Sequence, residues 1–176
     1  MFHIPHLMRA TLVAGLFLTA AGAAQAQNRN CIDTIAGLEG ATRFVTVATR
    51  THVAQDLREV GPYTIFVPTD AAINRVAPGL TSIVFPDDRG GTGAADPVMG
   101  PAVVNTHILE GRYTSSALKP GETVTTRTRA GTQLTISNDN GTFTITAPNG
   151  IKATVIAGDK LCSNGVVHVI DTALVR

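Results

Sequence analysis

The spacing of apolar residues changes character along the chain, and the changes mark its elements. Over residues 42–57, Phe44, Val47, Ala48 and Thr51 recur at helical spacing, with Thr42 placed to cap the first turn. Ahead of them Asp33 can cap a short turn reaching Leu38. Gly61-Pro62 ends this helical region. Residues 63–67, "YTIFV", are a compact run of aromatic and β-branched side chains, which predicts a strand closed by Pro68. Thr69 or Asp70 then caps a predicted helix over 71–76, with Ile73 and Val76 on one face and Pro78-Gly79 at its end.

The middle of the chain loses its apolar pattern. Residues 87–101, rich in glycine and proline, predict an exposed loop. A short helix is expected to begin over 101–105. "THILEGRYTSSAL" follows as a short strand, a turn at Glu110-Gly111 and a helical turn from Ser115. From Gly121 onward the period is two. Leu134 and Ile136, Phe143 and Ile145, and Ile151, Ala153 and Val155 alternate with polar residues. Asn-Gly pairs at 140–141, 149–150 and 164–165 separate these runs, which predicts an antiparallel meander. In the last strand, over 166–170, Val167 and Val169 face one side and Val166, His168 and Ile170 the other, so both faces are apolar and buried. Helices first and strands later predict an α+β domain.

The N-terminus stands apart. One positive charge, Arg9, is followed by an apolar run over 10–24 and by Ala24-Gln25-Ala26, a small-x-small signal. This is the layout of a secretory signal peptide, with cleavage expected after Ala26 and a mature domain over 27–176. The apolar run is shorter than the ~20 residues a bilayer span needs, so no stable membrane span is expected after cleavage. The expected location is periplasmic or secreted.

Charge narrows the function classes. The chain has 14 Lys and Arg against 13 Asp and Glu, so loss of Arg9 leaves 13 against 13. A neutral surface with scattered basic residues does not point to nucleic acid or to anionic membranes. The closest basic pair, Arg127 and Arg129, reads as one solvated strand face. Cys31 and Cys162 are the only cysteines. Export favours a disulfide between them; two buried free thiols are the alternative.

Catalytic patterns are absent. His52, His107 and His168 are the only histidines after residue 26, and none has a second histidine at local metal-ligand spacing. There is no G-x-S-x-G elbow, and His168 and Asp171 lie three apart on a strand, pointing to opposite faces. The glycine-rich stretch lacks the Gly-Lys-Ser/Thr ending of a phosphate loop. No catalytic, cofactor-binding or metal-binding residue is therefore predicted, and the chain is not expected to be an enzyme. In "NTHILEGRY", His107, Glu110, Arg112 and Tyr113 suggest an exposed contact surface. A histidine satisfied at a strand entrance is the other reading of His107.

Two longer stretches carry a resemblance. "TIFVPTDAAI", over 64–73, resembles the first signature box of the fasciclin (FAS1) domain, and "SNGVVHVIDTAL", over 163–174, resembles the second. "NTHILEGRYTSSAL" between them is similar to the central segment of that family, and the order and spacing agree over nearly all of 33–175. The resemblance implies a wedge of antiparallel and mixed sheets with helices packed around it, mainly in the N-terminal half. It implies a non-enzymatic adhesion module that binds a surface or matrix protein, with Asn105, His107, Glu110, Arg112 and Tyr113 as contact residues. A group of algal relatives binds carotenoids, so a carrier of a small apolar ligand, such as a carotenoid or lipid, is the alternative. The chain departs from the family pattern in two places. Thr106 replaces the tyrosine before the central histidine, the region to which integrin recognition in animal relatives has been attributed. A glycine-rich loop over 88–100 also replaces part of the usual helix; it could be a partner contact or a lid.

Overall fold

The computed structural model describes residues 29–85 and 94–175. The expected signal peptide over 1–26 lies outside the described residues, as does the 86–93 part of the glycine-rich stretch. In chain order the elements are α1 (Cys31–Ala36), α2 (Thr42–Arg50), α3 (Val53–Asp56), β1 (Tyr63–Pro68), α4 (Asp70–Ile73), α5 (Pro78–Val84), α6 (Met99–Thr106) and β2 (Ile108–Glu110). A 3-10 turn (Ser115–Ala117) precedes β3 (Thr123–Arg127), β4 (Gln133–Asp139), β5 (Thr142–Thr146), β6 (Lys152–Cys162) and β7 (Gly165–Ile170).

The expected α+β class and mixed sheet are present. Seven strands form one sheet in the order β2-β1-β7-β6-β5-β4-β3. The meander from β3 to β7 is antiparallel, with Asn140 and Gly141 at positive φ in the tight β4–β5 turn. β1 pairs with β7 in parallel, Tyr63 opposite Gly165 through Pro68 opposite Ile170. A bridge between Leu109 and Thr128, with the Arg129 N–H donating to Ile108 O at 2.8 Å, brings the end of β3 back to β2. The sheet therefore curls into a nearly closed wedge.

Alternation along β1 and β7 divides the interior in two. Ile65, Val67 and Val167 join Phe44, Val47, Leu57 and Val104 in a core beneath the helices. Phe66 and Ile170 face the other way, into the wedge, with Leu134, Ile145 and Leu109. Phe44 is fully buried on α2, so truncating it to alanine would remove about 3–5 kcal/mol.

Several local expectations need correction. Asn30, not Asp33, caps α1: its side chain accepts from the Asp33 N–H. Thr42 is the first residue of α2 and caps nothing; Ala41 is the cap residue. The helix expected over 42–57 is two helices. Thr51 Oγ1 donates to Val47 O at 2.8 Å, and His52 takes φ +63°, outside the helical range. Thr69 is the cap of α4, accepting from Ala72 N–H. Pro78 does not close a helix but opens α5, because its missing N–H is lost without penalty in a first turn. Within the glycine-rich stretch, residues 94–100 are ordered. Asp96 Oδ1 accepts from the Val98 and Met99 N–H groups, which holds its carboxyl below the usual range and starts α6. Gly100 is a packing glycine, since a Cβ there would meet Thr51 Cγ2 at 2.7 Å.

Cys31 and Cys162 form a disulfide, with Cα atoms 5.1 Å apart and a sequence separation of 131 positions. Free thiols are thereby excluded. The bond ties α1 to the β6–β7 turn, where Asn164 makes a second tie. Asn164 Oδ1 accepts from Cys31 N–H, and its Nδ2 donates to Leu57 O and Glu59 O. Gly165 leaves the room this junction needs, because a Cβ there would sit 2.1 Å from Tyr63 O. Closing a loop of this length restricts the unfolded chain by about 5 kcal/mol in the chain-entropy treatment. The double variant Cys31→Ser/Cys162→Ser should lose a large part of that in urea unfolding. An unchanged midpoint would show that the bond does not hold the fold.

Candidate functional site

The central segment and the second signature box meet at two histidines. His107, at the C-terminal end of α6, is fully buried. Its Nδ1–H donates to Val103 O at 2.8 Å, its Nε2 accepts from Leu174 N–H at 3.0 Å, and its ring meets Phe44 edge-on. One nitrogen must donate and the other accept, so the ring is neutral. Burial pushes its pKa down to about 4, against the smaller upward pull of the Val103 carbonyl.

His168 on β7 is the counterpart. Its Nε2–H donates to Tyr113 O at 2.8 Å and its Nδ1 accepts from Asp159 N–H at 3.2 Å, so it too is neutral. Its ring stacks on Phe66. Burial lowers its pKa, opposed by the Tyr113 carbonyl and the Asp159 charge.

The expected contact set divides at this point. His107 is removed from any contact surface, because both its nitrogens and its ring face are used inside the core. Asn105 is half-buried on α6, with Oδ1 enclosed and unpartnered. Glu110, Arg112 and Tyr113 are exposed. Their backbone is held firmly. Thr64 Oγ1 donates to Gly111 O at 2.7 Å and accepts from Tyr113 N–H at 2.9 Å, while His168 holds Tyr113 O. Arg112 lies against the 162–163 carbonyls, at 3.3–3.4 Å, and borders an open cleft of about 430 Å³ whose far wall is residues 58–62. Val60 stands almost wholly exposed in that wall. Arg129 is not on a solvated strand face: its guanidinium lies 5.9 Å from the Tyr63 ring centre, within reach of Asp56.

A second feature was not foreseen. A cavity of about 340 Å³ opens into the wedge. Phe66, Val124, Ile136, Phe143, Val155 and His168, one residue from each of six strands, form its wall. The chain over 113–118 completes the lining. Asp159 fixes this segment, its carboxylate accepting from both the N–H and the hydroxyl of Ser115. Asp159 sits at φ +52° in an irregular part of β6. Gly158-Asp159, interrupting an otherwise strand-like run, was the sequence signal for this irregularity. Among the described residues, no group of three or more His, Cys, Asp or Glu could hold a metal ion, and no helix is long and apolar enough to cross a membrane.

A sequence model of the fasciclin domain matches residues 39–176. The chain belongs to the fasciclin (FAS1) family. Relatives include protein sll1483 of Synechocystis, 28% identical over 144 residues that cover 81% of this chain and 71% of the relative. Human periostin is 27% identical over 81% of this chain, which spans 15% of periostin. Among solved structures, a FAS1 domain pair from the insect cell adhesion molecule fasciclin I matches with a TM-score of 0.67 and 20% identity. That match covers 85% of this chain and 52% of the insect chain, and it establishes a shared fold. The two buried histidines of this FAS1 domain link the central segment to the second signature box through their hydrogen bonds to Leu174 and Tyr113.

The neutral histidines make stability pH-dependent. Above pH 6.5 neither the folded nor the unfolded chain protonates His107, and its contribution is whole. Between 6.5 and about 4 the unfolded chain takes up the proton and the folded one resists, so stability falls, by on the order of 3 kcal/mol for His107. His168 acts in the same direction. Urea unfolding at pH 7 and at pH 4.5 should register this loss. His107→Phe should be less stable at pH 7, because Leu174 N–H loses its acceptor, yet show a shallower fall. Identical slopes in both proteins would exclude His107 as the titrating group.

Proposed function

We propose that this FAS1 domain is an exported, non-enzymatic module that binds a cell-surface or matrix protein through the surface of Glu110, Arg112 and Tyr113. The observation that carries the reading is the pairing of exposure with rigidity there. Arg and Tyr are the side chains that most often anchor protein interfaces. Their backbone is already fixed by Thr64 and His168, so little ordering remains to oppose binding. The neighbouring cleft and exposed Val60 extend the same surface. Family membership supports a protein-binding role, as does the similarity to insect fasciclin I, a cell adhesion molecule. Export follows from the layout of residues 1–26, and the disulfide suits an oxidising compartment. The domain then works in the periplasm or outside the cell.

Purified protein should bind the native envelope fraction saturably. Arg112→Ala and Tyr113→Ala should each weaken that binding about tenfold or more, the loss of roughly 1.4 kcal/mol expected of an interface anchor. Undiminished binding by both variants would place the partner surface elsewhere.

The cavity favours a second reading, a carrier of a small apolar ligand, since concave apolar sites of this size are where such ligands bind. Protein purified from its native host should then release a lipid or pigment into organic solvent. A colourless protein with an empty extract would remove this reading.

A further inference from the structure

We propose that the wedge cavity takes a neutral single-chain lipid of about a dozen carbons, with its hydroxyl or ester head at the 113–118 rim. This rests on the carrier reading and narrows it.

Size sets the chain. A cavity of about 340 Å³ lies at the small end of the roughly 300–1,000 Å³ range of small-molecule sites, which suits a short single chain. A forty-carbon polyene calls for a site toward the upper end of that range or beyond it.

Charge sets the head. The lining contains no Lys, Arg, Asp or Glu. An ionised carboxylate drawn into such a wall would have no counter-charge, which is strongly unfavourable. The charged group hydrogen-bonded to the rim is Asp159, itself negative and bound to Ser115, so it opposes an anionic head further; Arg112 and Lys119 flank the rim in sequence, but neither lines the cavity. His168 cannot serve as a cation there, because Nδ1 is occupied as an acceptor and Nε2–H is already donated to Tyr113 O. What the lining does offer is hydroxyls, on Thr126 and on Thr114 and Thr125, the last two sharing one hydrogen bond each with Ser116 and Thr135 and keeping acceptor capacity. These can exchange hydrogen bonds with an alcohol or an ester.

Most of the wall is apolar. Phe66, Ile136, Phe143 and Val155 line it, and Leu134 and Ile145, both without exposed surface, belong to the core that Phe66 and Ile136 join. A chain lying against these residues is largely surrounded by hydrocarbon.

The test uses the intact mature protein and three probes: 1-dodecanol, laurate and β-carotene. Native mass spectrometry counts bound molecules. Tyrosine emission gives affinity, since the chain has no tryptophan and two tyrosines, one of them Tyr113 on the rim. One dodecanol per chain is expected, bound at least tenfold more tightly than laurate, with no β-carotene retained. Val124→Arg, on a half-exposed edge position of the wall, should weaken dodecanol at least tenfold with an unchanged circular dichroism spectrum and melting temperature. Laurate binding as tightly as dodecanol would overturn the neutral-head assignment. Retained β-carotene would overturn the size limit while leaving the carrier reading standing. Dodecanol binding that a folded Val124→Arg variant does not alter would place the site elsewhere. Failure of all three probes to bind the wild-type protein would remove both the inference and the carrier reading.

Discussion

The parallel pairing of β1 with β7 is the constraint on which the rest of the domain depends. It joins residues about a hundred positions apart, and both strands are apolar on both faces. Such a pair is stable only if each face is covered, so the chain must supply two layers. The helices cover one face through Phe44, Val47 and Leu57; the curled meander covers the other through Leu134 and Ile145. The disulfide and Asn164 close the end of the same pair, linking its entry to α1 and to the chain after α3.

The two buried histidines do related work beside this pairing. His107 in the central segment holds the backbone of the second box, and His168 in the second box holds the backbone of the central segment. Each uses one donor and one acceptor, which only the neutral ring can offer. The result is a central segment whose side chains are presented from a fixed frame. That frame serves both candidate sites: Arg112 lines the outer cleft, and Tyr113, exposed beside it, also lines the wedge cavity. A partner bound at the first and a ligand held at the second would share the backbone between them.

Much of the fold was readable in advance. Period-two alternation and the Asn-Gly pairs located the meander, and an aromatic and β-branched run bounded by Pro68 located β1. The contact residues were less legible. For His107 in "NTHILEGRY" the sequence left two readings open, and the turn of α6 into β2 decides for the satisfied histidine, sending His107 inward and leaving Glu110, Arg112 and Tyr113 outside. The helix break at Thr51-His52 was hidden for a related reason: apolar spacing continued across it, while a hydroxyl-to-carbonyl hydrogen bond and a left-handed residue ended α2.

By itself the sequence determined what depends on local pattern: the element types, the two-faced burial of the last strand, the near-neutral charge and the family signature boxes. Only the tertiary structure decided what depends on distant segments meeting. It paired Cys31 with Cys162, made β1 parallel to β7, moved Arg129 from a presumed solvated face to the Tyr63 ring, and opened a cavity whose wall draws on six strands. No spacing along the chain encodes that cavity, because its lining residues come from six strands that only the closed topology brings to one wall.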